Sequence, residues 1–361
     1  MKVLLIGEYS GFFSNLKQGL KELGINVTLI ANYDGFKKIG GADYSLYNES
    51  KKSIIYKVYS RLIKPLFYGP FYRKYDCVIL INMEVFNPWI IERVLKKIKK
   101  RSNKILLSSC GYDYALYKAF IRGRFDYYMF DSNYQTMDRF SGRFFKKYTL
   151  NGKEDKLIDK YIDLVVPTAY EYRIGYESKV SKIVLLPFNY KEIKLMDNKV
   201  DGKIVFFHGI TREKEKGTEF IVEALNRLQS KYPDNVEIVV DGKMPYERYK
   251  NVIKRANVII DQCKSYWYGM NALISLSLGK VVLSGARDES LNALEMKRSE
   301  CPIIPIEPNA DDIFEKLESI VLGDVDIVSL GKKGREYVEK YHDYVSIAKQ
   351  YLEIIENLEV L

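Results

Sequence analysis

The order of apolar runs along the chain predicts an α/β protein built from two doubly wound units in tandem. Three observations predict it. Short apolar runs alternate with segments of helical apolar spacing. The runs are continuous rather than alternating, as expected of parallel strands covered on both faces. The alternation is interrupted once, by the polar stretch 191–202, and then restarts. At 361 residues the chain is also too long for one core of ordinary size, so two domains are expected.

In order, residues 2–7 form an apolar run ending in Gly7, 10–23 have helical spacing, and 27–30 form the next run: strand, helix, strand. Runs at 77–81, 104–107, 164–166 and 183–186 extend that sheet, with helices expected at 90–100 and 170–176. Past 191–202, strands are predicted at 204–207, 236–240, 258–260 and 281–283. Helices fall at 218–231, 246–256, 271–278 and 311–321, and 345–358 closes the chain as a helix. The expected division is an N-terminal domain at 1–190, closed by a terminal helix within 342–361, and a C-terminal domain at 191–341. Ligands of such sheets bind outside the carboxyl ends of the strands, in a cleft expected between the two domains.

Composition removes several classes. With 47% hydrophobic and 29% charged residues the chain is neither disordered nor collagen-like. No uncharged apolar run approaches the ~18 residues of a membrane span, and the run 3–6 is too short for a signal-peptide core, so a cytoplasmic location is expected. Cys77, Cys110, Cys263 and Cys301 lie far apart, and only His208 and His342 could help them hold a metal. Neither a disulfide framework nor a zinc site is expected. The net charge of +10 is one-sided: residues 1–190 carry 32 Lys+Arg against 18 Asp+Glu, and the remainder 25 against 29. A basic half attracts something anionic.

Two segments could carry chemistry. Residues 208–217 stand between a strand and a helix, with glycines at Gly209 and Gly217 and fixed charge at Arg212 and Lys216, a composition suited to a diphosphate. An exposed loop with solvated charges would have the same composition. Residues 261–272 leave a strand and turn at Gly269 into an apolar helix, where the amides of Met270, Asn271 and Ala272 could hold phosphate oxygens. Tyr266, Trp267 and Tyr268, each taken alone, are better read as core or interface aromatics. Two anion-friendly helix starts in one sheet favour the functional reading.

On these residues the second half resembles the donor domain of nucleotide-sugar glycosyltransferases with two Rossmann-like domains, especially the retaining family 4. The matching pieces are His208-Gly209 with Arg212 and Lys216-Gly217, the stretch 242–249, and Tyr268-Gly269 with Gly279-Lys280; Gly7 to Gly11 matches the family's first loop. The resemblance implies that Arg212 and Lys216 bind the donor diphosphate and that the tip formed by Tyr268, Gly269, Met270, Asn271 and Ala272 holds phosphates or sugar. It also implies that Lys243, Met244 and Pro245 lie near the base, and that Gly11, His208 and Gly209 adjoin the donor. It implies a retaining transfer in which the leaving diphosphate helps deprotonate the acceptor, with no obligatory cofactor or metal. The family's paired glutamates fall here on Tyr266 and Ile274, so Asn271 and Glu289 are the substitutes considered for contacting sugar and ribose. Asp113 is a candidate for positioning the acceptor hydroxyl, and equally a helix cap.

The implied reaction moves a sugar from a nucleotide diphosphate to a glycan or lipid-linked acceptor, as in bacterial-type polysaccharide or glycoconjugate synthesis. The loss of the glutamates motivates an alternative, a non-catalytic partner or glycan-binding protein of the same fold. An epimerase would need acidic and histidine groups that the chain scarcely offers, and a dinucleotide oxidoreductase would need a full G-x-G-x-x-G. Basic, aromatic segments at 51–64, 93–104 and 139–147 suit an anionic membrane surface and peripheral attachment, while a core-packed helix with a solvated basic face would read the same. No nucleic-acid-binding motif is visible.

Overall fold

The computed structural model describes residues 1–31, 40–47, 53–111, 114–129, 153–242, 244 and 246–358. The chain divides into two compact units, Met1–Arg122 with Asp138–Pro187 and Tyr344–Leu361, and Gly123–Met137 with Phe188–Asp343.

The first unit contains a five-stranded sheet in the order β2-β1-β3-β4-β5, formed by β1 (Lys2–Ile6), β2 (Asn26–Ile30), β3 (Tyr75–Leu80), β4 (Ser102–Ser109) and β5 (Leu164–Pro167). Every pairing is parallel. Alternate residues point to opposite faces: Leu4, Ile6, Val78, Leu80, Ile105, Leu107 and Val165 enter one core, while Val3, Leu5, Ile79 and Leu106 are fully buried on the other. On that account the strands read as continuous apolar runs. Helix Phe12–Glu22 packs against the C-terminal helix Tyr344–Asn357, and Gly19 permits the close approach, since a Cβ there would lie 2.2 Å from the Tyr344 carbonyl oxygen. The strand expected at 183–186 forms no regular ladder. The chain runs beside β5 only through Val165 N–H to Lys179 O, Ser181 N–H to Val165 O and Val184 N–H to Pro167 O.

The second unit repeats the plan in the order β10-β9-β8-β6-β7, with β6 (Ile204–Ile210), β7 (Val236–Gly242), β8 (Val258–Ile260), β9 (Val281–Ser284) and β10 (Ile304–Pro305). Helix Thr218–Lys231 buries Ile221, Ala224, Leu225 and Leu228 against the core that also takes Phe206, Val258, Ile260 and Leu283. The polar stretch 191–202 belongs to this unit: Asn198 is buried, donates to Asn257 O at 3.0 Å, and Met196 N–H reaches Leu278 O. Helix Ile327–Tyr341 is not among the elements that the apolar spacing predicts. Its Gly331 and Gly334 face Gly279 O and Leu276 Cδ2, where added Cβ atoms would lie at 2.1 and 2.9 Å.

In each sheet the chain reverses its direction of travel next to the first strand laid down, between β1 and β3 and between β6 and β8. At such a switch point the two following connections leave on opposite sides, opening a crevice at the carboxyl ends.

Candidate functional site

The second unit's switch point gathers the two segments that the sequence singled out. β6 and β8 pair in parallel, His208 opposite Ile260, so Gly209 and Asp261 emerge side by side. After β6 the chain makes a short helix, Glu213–Lys216, and then turns at Gly217 in a left-handed conformation, φ 70°. A side chain at Gly217 is excluded, because its Cβ would lie 2.3 Å from Cys263 Sγ. Cys263 N–H also donates to Lys216 O at 3.0 Å, which fastens the loop after β8 over the loop after β6.

This packing sets Lys216 beside Asp261. The ammonium donates to Asp261 Oδ1 at 2.9 Å and to Gly209 O at 3.2 Å, with side-chain exposures of 8% and 2% for the ion pair. Asn271 Nδ2 donates to the same Asp261 oxygen at 2.8 Å, and Tyr249 donates its hydroxyl to Asn271 Oδ1. Burial pushes the Asp261 carboxyl upward, but the Lys216 charge and the hydrogen bonds more than offset it and hold the carboxyl below its ordinary value. Asp261 therefore stays ionised and fixes two neighbours. From sequence Asp261 is only the residue at which the chain leaves a strand; the signal of its role is a carboxylate directly after a wholly apolar strand, where a charge requires a partner.

Helix Met270–Ser277 starts at Gly269, and no side chain caps it. A Cβ at Gly269 would meet nothing within 4 Å, so the tip is open around its backbone. Ala272 N–H returns to Gly269 O at 3.1 Å, leaving Met270 and Asn271 as the leading amides. A helix start with open N–H groups attracts an anion. Arg212 is exposed at the start of the preceding short helix.

Other expected residues stand differently. His208 is fully buried, with Nδ1–H donating to Ile260 O at 2.8 Å and Nε2 accepting from the Thr218 hydroxyl at 2.9 Å. Burial and the Lys216 charge lower its pKa to about 4, so the ring is a neutral strut and not a group turned to a ligand. The Tyr268 side chain is likewise interior, its hydroxyl within 2.5 Å of Tyr337 Oη and 2.8 Å of His342 Nε2, which also supplies His342 with a partner. Glu289 is held by Arg287 at 2.9 Å, and Arg287 also lies 4.8 Å from the centroid of the Tyr266 ring. Tyr266 and Ile274, buried and half-buried, place no carboxylate at this tip. Met244 is half-buried after β7. Lys243, Pro245 and Asp113 lie outside the described residues.

The first unit's switch point differs in kind. Gly11 begins helix Phe12–Glu22 at φ 91°, but its amide donates to Glu8 Oε1 at 3.0 Å, while the Ser14 amide and hydroxyl donate to Glu8 Oε2 at 2.8 and 2.6 Å. The chain's own carboxylate fills this helix start. Burial raises the Glu8 pKa against the pull of those hydrogen bonds. Beside it Asn82 bridges the Tyr9 hydroxyl and Cys110 O at 3.1 and 3.2 Å.

The sequence matches no family model and no curated protein. Solved structures match over nearly the whole chain. Sucrose-phosphate synthase from Thermosynechococcus elongatus is 16% identical with a TM-score of 0.60, covering 99% of each chain. Anabaena HepE in complex with UDP-glucose is 9% identical with a TM-score of 0.61, covering 99% of this chain and 100% of that one. UDP-GlcNAc 2-epimerase from Neisseria meningitidis, bound to UDP-GlcNAc, is 14% identical with a TM-score of 0.54 over the same shares. With two parallel five-stranded sheets in tandem, the chain has the B-type fold of nucleotide-sugar glycosyltransferases, two Rossmann-like domains, which it shares also with such an epimerase.

Proposed function

We propose that the chain is a glycosyltransferase that takes its sugar from a nucleotide diphosphate held at the switch point of the second unit. The observation that carries the reading is the meeting of an open helix tip at Gly269 with Lys216 through one carboxylate, Asp261. An ammonium has three N–H donors, and the two spent on Asp261 and Gly209 leave one for a phosphate oxygen. Arg212 supplies the second cation, and the amides of Met270 and Asn271 supply neutral donors.

Catalysis on this reading is the stabilisation of the departing nucleotide diphosphate as its charge develops, by groups already in place. The transfer retains configuration, with the leaving phosphate accepting the proton of the incoming hydroxyl, and needs no enzyme base or protein-held metal. The acceptor is a glycan or a lipid-linked glycan, and the chemistry belongs to polysaccharide or glycoconjugate assembly in the cytoplasm. The UDP-glucose held by HepE and the UDP-GlcNAc held by the epimerase, on the same fold, support a nucleotide-sugar donor. Both histidines are fully buried, which disfavours an epimerase that would rely on one.

Thermal melting with UDP and GDP tests the donor site. A rise in Tm with at least one of them is expected, and Arg212→Ala, which alters an exposed side chain, is expected to remove most of it. An unchanged curve with every common nucleoside diphosphate rejects the reading. The absence of glutamate at Tyr266 and Ile274 favours one alternative, a non-catalytic homologue that binds but does not turn over. Release of UDP or GDP from a sugar nucleotide by the purified chain eliminates that alternative.

A further inference from the structure

The first unit carries an apolar surface that the fold leaves uncovered. The chain from Ile54 to Phe67 is one continuous helical run, made of Ile54–Val58, a π turn at Tyr59–Ile63, and Lys64–Phe67. Its inner side is satisfied by the unit: Ser60 and Pro65 are buried, and Leu62 and Leu66 pack on the core. The outer side holds Ile54, Ile55, Val58, Tyr59, Ile63 and Phe67. These are six of the twelve large apolar side chains exposed among the described residues, with Ile55 82% and Phe67 76% exposed. A solvent-facing helix ordinarily turns a polar stripe outward, so this one is apolar on both sides.

The π turn accounts for the alignment. Ile55, Tyr59, Ile63 and Phe67 recur every fourth residue, a spacing that drifts around an α-helix wound at about 3.6 residues per turn. A turn with an extra residue takes up the drift and keeps the four in one row. The rim of the row is cationic. Lys57 and Arg61 are exposed beside it, and Lys97, 5.1 Å from the centroid of the Phe67 ring, is tied to Leu66 O at 2.7 Å. No acidic residue occurs between Ser53 and Tyr75, and the nearby Glu92 is paired with Lys160.

We infer that this row docks the chain on an anionic lipid surface, with Ile55, Ile63 and Phe67 entering the interface and Lys57 and Arg61 at the headgroups. Charge selects this occupant, since a lone basic rim complements anionic headgroups and opposes a second copy of itself. The inference stands apart from the donor reading.

The test uses the full chain in sedimentation with phosphatidylglycerol–phosphatidylcholine vesicles and with phosphatidylcholine alone. Binding to the anionic vesicles at low salt is expected, at least tenfold weaker without phosphatidylglycerol. Ile55→Glu combined with Phe67→Glu should weaken it at least tenfold while leaving the melting temperature and any nucleotide-induced shift unchanged, because both side chains are already in solvent. Lys57→Gln with Arg61→Gln should weaken it several-fold and flatten its salt dependence. No sedimentation at low salt overturns the inference, as does full binding by the doubly acidic variant. Sedimentation velocity showing a dimer that the same variant dissolves would assign the row to a second copy and overturn it equally.

Discussion

At the scale of single residues, the buried pair of Lys216 and Asp261 makes a sharp demand. Removing one partner from such a pair leaves an uncompensated charge in a dry place and costs roughly 3–5 kcal/mol, whereas removing both costs far less. In urea unfolding, Lys216→Met is expected to lower stability by an amount in that range, and adding Asp261→Asn should restore a large part of it. If the double variant is no more stable than the worse single one, the two side chains are not coupled as their 2.9 Å contact requires. His208 makes a second demand, in pH. Its folded pKa of about 4 lies below the ordinary 6.5, so the unfolded chain binds the extra proton in that window. Stability from this group is whole above pH 6.5 and falls as pH drops toward 4, by about 3 kcal/mol over the full shift. His208→Gln should flatten the acid limb of a stability–pH curve, whatever it does to the plateau. A limb of unchanged steepness would show that other groups carry the acid sensitivity.

At the scale of elements, glycines decide where segments touch. Gly217 and Gly24 both sit at positive φ, 70° and 77°, but only Gly217 has a neighbour in the way of a Cβ. Gly24→Ala should cost about 1 kcal/mol for the backbone alone. Gly217→Ala must add overpacking against Cys263, for a total of about 2–4 kcal/mol, and should reduce any nucleotide-induced rise in Tm because the same turn seats Lys216. Chemical denaturation of the two variants checks the ranking. Such contacts also explain what the sequence concealed. Helix Ile327–Tyr341 contains Gly331 and Gly334, residues of low helix propensity that here serve its close packing on Gly279 and Leu276. The run 183–186 has the composition of a buried strand, and its backbone pairing with β5 is too sparse for one. By contrast Thr218–Lys231 and Val258–Ile260 were legible to the residue, because each combines an unbroken period with a clear stop.

At the scale of the whole molecule, the doubled α/β plan was readable because parallel strands buried on both faces leave a pattern that little else produces. The residues of the candidate site were readable as types, glycines and cations at a strand exit. Their pairing was not, since it depends on β6 and β8 being neighbours across 52 residues of chain, His208 to Ile260. Among the described residues, the basic excess of residues 1–190 takes a definite place where the fold turns Lys57 and Arg61 to the edge of an uncovered row; the basic segment 139–147 lies outside them.

Glu8 carries one further consequence. A carboxylate seated on the amides of Gly11 and Ser14 acts as a permanent tenant, so a phosphate arriving there would meet negative charge and donors already engaged. That helix start is closed to an anion by the chain's own side chain, whereas the tip at Gly269 carries no side-chain cap. Glu8→Gln should therefore leave any nucleotide-induced rise in Tm intact, as thermal melting of the variant with UDP and GDP will check.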